Sequence, residues 1–168
     1  ILKGKDGMMY IATTEGLALI DEELRLAYLE DERIADDFLH ELRMGKDGTI
    51  YAVDNAGDVI VLKDKEVLQI YPFSQSQIKG INCILPDPYD PELFYVETDE
   101  GKVYHDTLDS GFIKSEEIDI SPLYQVQSFE CLDQKIWICA RNGIGVLDED
   151  GFHTLDNIPM KNSIGHVM

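Results

Sequence analysis

An aromatic residue followed six positions later by glycine recurs four times in this chain: Tyr10 with Gly16, Tyr51 with Gly57, Tyr95 with Gly101 and Trp137 with Gly143. The steps between the aromatics are 41, 44 and 42 residues. Such a repeat constrains the fold strongly, because each unit must be one supersecondary element that buries its apolar face on its neighbours. The register extends on both sides. Met9, Ile50, Phe94 and Ile136 precede the aromatic; Ile11, Ala52, Val96 and Ile138 follow it; Leu19, Ile60, Tyr104 and Val146 stand nine residues after it. Asp6, Asp47 and Asp133 stand four residues before it, with Pro91 as the exception. Gly7 and Gly48 come next in the first two copies, replaced by Glu92 and Gln134 in the others.

A period of about 42 residues belongs to four-stranded β-propeller blades. Short apolar runs bounded by turn residues read as strands buried on both faces. Each unit then runs strand A, Asp-Gly turn, strand B around the aromatic, a Gly turn that needs positive φ, strand C and strand D. The predicted B strands are 8–13, 49–53, 93–97 and 135–140, and the C strands 17–21, 58–62, 102–106 and 144–148. The D strands are 25–29, 67–71, 112–118 and 152–155. The A strands lie at 39–44, 80–85, 126–131 and 164–168, with Ile1–Lys3 completing the first blade. The expectation is an all-β propeller segment of four four-stranded blades, with units 1–38, 39–79, 80–125 and 126–163 and the start of another strand at 164–168. Residues 22–44 lack Gly and Pro and carry helix-favouring Leu, Glu and Arg. The repeat requires strand, loop, strand there, with room for one helical turn near 30–38.

The charge narrows the partners. With 14 Lys and Arg against 33 Asp and Glu the net charge is −19, a field that repels nucleic acid and anionic lipid. No nucleic-acid partner and no membrane contact by this segment are expected. Three cysteines, Cys83, Cys131 and Cys139, lack metal-ligand spacing, and no disulfide is assigned to them. The chain begins at Ile1 and both ends fall within predicted A strands, so a piece of a larger propeller is expected.

The stretch Asp6-Gly7-Met8-Met9-Tyr10-Ile11-Ala12-Thr13-Thr14-Glu15-Gly16-Leu17 closely resembles the two-component regulator propeller repeat. Residues 47–51 and 135–144 resemble it more loosely, and Asn162-Ser163-Ile164 looks like the start of another unit. The third copy, residues 87–95, departs from it and resembles the Asp-Pro turn of sialidase-like repeats. The resemblance implies an extracytoplasmic sensor, the periplasmic or cell-surface part of a membrane-anchored bacterial regulator such as a hybrid histidine kinase or diguanylate cyclase. It also implies further propeller blades beyond four.

The residues themselves carry no catalytic signature. Asp148-Glu149-Asp150-Gly151 and Asp54-Asn55-Ala56-Gly57 hold oxygen ligands but do not continue into a calcium loop, and Asp, Asn and Gly are also what hairpin turns require. His40, His105, His153 and His166 lack zinc spacing. Thirty-three carboxylates make any catalytic pair uninformative. No enzyme, metal or cofactor is expected. The candidate ligand-binding residues are those of the B–C turns: Thr14, Glu15, Asp54, Asn55, Asp99, Glu100, Arg141 and Asn142. They occupy equivalent repeat positions at one rim yet differ chemically from blade to blade. Arg141, the only cation among them, suits a polar ligand such as a saccharide or a small carboxylate. Solvated turns and structural ion pairs are the competing reading. The alternatives to a sensor are a non-catalytic interaction scaffold and a propeller glycosidase or lyase. Open sheet ends also seek partners: further blades, or strand 164–168 completing the blade that begins at Ile1, in the same chain as a closed four-bladed ring or in a second copy of the chain as a dimer of up to eight blades, with the dimer or a higher association preferred.

Overall fold

The computed structural model describes residues 1–35, 37–76, 78–112 and 115–155. Among them are sixteen strands in four antiparallel four-stranded meanders, the blade unit of a β-propeller. Blade 1 consists of β1 (Leu2–Lys3), β2 (Met9–Thr13), β3 (Gly16–Ile20) and β4 (Leu26–Tyr28). Blade 2 contains β5 (Leu39–Met44), β6 (Ile50–Asp54), β7 (Val59–Lys63) and β8 (Glu66–Tyr71). Blade 3 contains β9 (Ile81–Pro86), β10 (Phe94–Thr98), β11 (Val103–Asp106) and β12 (Glu117–Ile118). Blade 4 contains β13 (Val126–Leu132), β14 (Lys135–Ala140), β15 (Gly143–Asp148) and β16 (Gly151–Thr154). The expected strand at 164–168, with His166, lies outside the described residues. The chain divides into two compact units, Ile1–Ile81 and Asn82–Met168.

In the first unit, Tyr10, Leu17 and Leu19 of blade 1 share a core with Ile50, Ala52, Ile60, Leu62 and Val67 of blade 2. In the second, Val103, Cys83 and Leu85 of blade 3, with Tyr95 beside them, pack on Phe129, Ile136, Ile138 and Ala140 of blade 4. The repeat aromatic therefore faces the following blade in both units, and the residue before it faces the preceding one. Alternation along a strand enforces that division of labour. Trp137 is half-buried among the described residues, on the face of blade 4 opposite Ile136 and Ile138.

The ninth position after the aromatic does not hold one structural place. Leu19 pairs with Tyr10 and Val146 with Trp137, but Tyr51 pairs with Val61 and Tyr95 with His105. Blades 1 and 4 turn from B to C in two residues, whereas blades 2 and 3 use three, ending on Gly57 at φ +85° and Gly101 at φ +75°. One extra residue moves the C strand by one register step and sends its side chains to opposite faces. Gly143 also departs from expectation. It does not have positive φ, and a Cβ there would stand 2.9 Å from Leu123 Cδ2, a side-chain end that would have to shift.

Two other segments refine the sequence reading. Residues 31–35 form a single helical turn, with the amides of Ile34 and Ala35 both donating to the Asp31 carbonyl and Ile34 buried as its anchor. The fourth strand of blade 3, expected over 112–118, is reduced to Glu117–Ile118. Before it, Leu108–Ser110 forms a 3-10 turn whose N-cap, Thr107, accepts from the Ser110 amide, and Gly111 ends it in the left-handed region. The buried Phe112 follows at φ +55°, which is incompatible with extended backbone.

Candidate functional site

The B–C turns all lie at the blade end where D–A connections also run. Six of the eight candidate residues, Thr14, Glu15, Asn55, Asp99, Glu100 and Arg141, are exposed. Asp54 and Asn142 are half-buried because their side chains satisfy backbone. Asp54 Oδ1 accepts from the amides of Ala56 and Asp58 at 2.9 and 2.8 Å. The Asn142 side chain accepts from the Tyr124 amide at 2.9 Å and donates to the Pro122 carbonyl at 2.8 Å. In the first unit the turns of blades 1 and 2 meet one connection: Gly16 N donates to the Asp37 carbonyl and Asn55 N to the Phe38 carbonyl. In the second, Arg141 N donates to the Gln125 carbonyl, and its Nη1 donates to Gln125 Oε1 at 3.0 Å. Asn55 and Arg141 thus make the same backbone tie, each to the residue before its A strand. Blade 3 presents Asp99 and Glu100, with Glu100 3.7 Å from Lys102.

The opposite blade end differs between units. In blades 1 and 2 the A–B turn is closed by its aspartate. Asp6 Oδ1 accepts from the Met8 amide and Oδ2 from the Tyr10 hydroxyl at 2.7 Å. Asp47 accepts from the amide and hydroxyl of Thr49 and from Lys63 Nζ at 2.7 Å. The Tyr10 ring lies so close over Gly4 that a Cβ there would come within 2.6 Å of Cε2. Burial and the Asp6 contact raise the Tyr10 pKa, and the Lys63 ammonium and the Thr49 donors lower that of Asp47.

In the second unit the positions matching Gly4 and Gly45 hold Tyr89 and Cys131. The Asp-Pro loop of blade 3 folds around Asp87, which is buried; its Oδ1 accepts from the amides of Tyr89 and Asp90 and its Oδ2 stands 2.8 Å from His105 Nε2. His105 stacks on Tyr95 at 4.0 Å and 11°. Burial, reinforced by Asp87, pushes the Tyr95 hydroxyl up to about 12. Beside this cluster a cleft of about 570 Å³ opens between blades 3 and 4. Tyr95, Ile136 and Leu147 form its apolar side, and Tyr89, Asp133, Gln134, Lys135 and the turn Asp148-Glu149-Asp150 form its rim. Lys135 Nζ is 2.7 Å from Asp148 Oδ2, which holds the Asp148 carboxyl below and the lysine above their usual ranges. The signal in the sequence was the replacement of glycine by Tyr89 six residues before the aromatic.

The sequence motifs weighed as metal sites are hairpin turns in the structure, and no group of three His, Cys, Asp or Glu suited to a metal occurs among the described residues. Cys83, Cys131 and Cys139 form no disulfide among the described residues, and burial raises the pKa of Cys139. His40 lies on β5 and is exposed.

No protein-family model matches the chain, and no curated protein matches it in sequence. Solved structures share its fold. One, described as the extracellular domain of a hybrid two component system, BT3049 from B. thetaiotaomicron, aligns with 96% of this chain at a TM-score of 0.75 and 18% identity. Another, apo AztD from Citrobacter koseri, aligns with 93% at a TM-score of 0.54 and 17% identity. This chain spans 23% of the first and 45% of the second.

Proposed function

We propose that this chain is a non-catalytic segment of an extracytoplasmic sensor propeller from a bacterial signalling protein, with polar-ligand recognition on the B–C rim. The observation that carries the reading is the likeness of its four-blade fold, over nearly its whole length, to about a quarter of the extracellular domain of a hybrid two component system. The repeat columns around Tyr10 support it independently. The rim provides chemically varied exposed side chains on a common backbone frame, and Arg141 keeps guanidinium donors beyond the one used on Gln125. Calorimetric screening of saccharides and small carboxylates against wild type and Arg141→Ala tests the site. Loss of a ligand's affinity with an unchanged thermal midpoint supports it; unchanged affinity moves the site off this rim. Protease accessibility of the segment in intact cells tests the location.

A second observation bears on assembly. The Trp137 face carries an apolar cavity of about 230 Å³ lined by Ser128, Glu130, Leu132, Cys139 and Ile144, with Leu132 59% exposed and the buried Ser128 Oγ without a hydrogen-bond partner among the described residues. Blade 1 presents Met9 and Ile11, half-buried, on its face away from blade 2. These two faces are the two halves of the junction that Tyr10 and Ile50 make inside the first unit. Blade 1 of a second copy therefore fits the Trp137 face. Concentration-dependent association by sedimentation, abolished by Leu132→Glu, is the expected result, and a wild-type monomer at high concentration overturns it.

A further inference from the structure

The cleft between blades 3 and 4 lies at the blade end opposite the B–C rim, and its chemistry is different. At about 570 Å³ it falls within the size range of small-molecule sites. Its rim carries Asp133, Asp148, Glu149 and Asp150 against Lys135 alone, and Lys135 is already engaged by Asp148. A neutral ligand closing over this rim would strip water from carboxylates without supplying a counter-charge. An anionic ligand would be repelled. The apolar side, Tyr95, Ile136 and Leu147, excludes a purely hydrophilic cation from making full use of the space. Tyr89, 61% exposed at the lip, offers an aromatic face to an ammonium group. An occupant must therefore combine several separated positive charges with aliphatic spacers.

We propose that this cleft binds a linear aliphatic polyamine, its ammonium groups on the Asp133, Glu149 and Asp150 rim and its methylenes along Tyr95, Ile136 and Leu147. The net charge of −19 draws such a cation toward the protein as a whole; the cleft supplies the place where charge and apolar surface coincide. This inference stands apart from the B–C rim reading, and either survives the failure of the other.

Titration calorimetry of spermidine into the 168-residue chain tests it. Saturable one-to-one binding is expected, weakening with salt. Glu149→Gln with Asp150→Asn is expected to lower affinity about 10-fold, the sum of two partly exposed charge contacts, and Tyr89→Ala about 3-fold. Glu30→Gln with Glu32→Gln removes the same charge from exposed positions in blade 1 and is expected to leave affinity within about 2-fold. n-Butylamine, with one ammonium, is expected to bind far more weakly than spermidine. All substituted residues are at the surface, and an unchanged thermal midpoint confirms folding. Equal losses in the two double variants would mean diffuse attraction to an acidic chain and would overturn the proposal. So would the absence of saturable spermidine binding, or a neutral oligosaccharide titrating the cleft with Tyr89-dependent affinity.

Discussion

The two units build the same meander twice and finish its A–B ends in opposite ways. In Ile1–Ile81 each of these turns is sealed from within: Asp6 and Asp47 satisfy backbone and side-chain donors, Gly7 and Gly48 take the left-handed corner, and Gly4 lets an aromatic ring lie flat over the chain. In Asn82–Met168 the corner at Asp133-Gln134 is made without glycine, at φ +52° and +64°, and the matching turn of blade 3 becomes a loop wound around Asp87. The ring that lay on glycine now stacks on His105, and a cleft stands beside it. Changes in the A–B turns thus distinguish a sealed blade end from one that has a cleft beside it.

The largest expected effect separates buried from open aromatics. Tyr10→Ala removes a ring sealed between blades and is expected to cost about 3–5 kcal/mol in urea denaturation. Trp137→Ala, on a half-open face in the monomer, is expected to cost about 1–2 kcal/mol. Equal losses would mean that the Trp137 face is as closed as the Tyr10 junction. Next comes the turn aspartate. Asp47→Ala strips three hydrogen bonds from one turn and is expected to cost about 1–2 kcal/mol, while Asp133→Ala is expected to stay within about 0.5 kcal/mol.

The same contrast has a pH signature. Lys63 and Thr49 hold the Asp47 carboxyl well below its ordinary value of 3.8. Its contribution is therefore complete above that value and is lost as the pH falls through the lower folded value. Wild type is expected to lose more stability than Asp47→Asn between pH 5 and the acid limit, and parallel acid titrations of the two would break the assignment. The smallest effect concerns the corner without glycine. Gln134→Gly relieves a left-handed non-glycine residue and is expected to stabilise by up to about 1 kcal/mol, whereas Gly48→Ala is expected to destabilise by about the same amount. Thermal midpoints moving in opposite directions would bear this out.

The fold was legible because the repeat is carried by buried strand positions. Strands B and C fall within a residue or two of their predicted bounds, since Tyr10, Tyr51, Tyr95 and Trp137 and their flanking apolar residues admit one register of burial. Turn length was less legible. The pairs Asn142-Gly143 and Ala56-Gly57 look alike in sequence, and only the ladder tells a two-residue turn from a three-residue one. The short last strand of blade 3 was hidden because Thr107-Leu108-Asp109-Ser110 forms a capped turn through local side-chain bonds that compete with extended backbone. The B–C rim could be placed by counting. The cleft could not, because it arises where the loop at Tyr89 meets the end of the β14–β15 hairpin at Lys135 and Asp148, and only the loss of glycine at Tyr89 marks that meeting in the sequence.

The backbone tie from Asn55 and Arg141 to the residues before β5 and β13 joins peptide groups, and at Arg141 the side chain adds a bond to Gln125 Oε1. Any amino acid except proline can donate that bond, so the frame is indifferent to which side chain projects from it. A position tied to its loop through its amide can change charge, size or polarity and keep that tie. Within each unit the side chain at this position can therefore vary while the blade folds from the same buried columns.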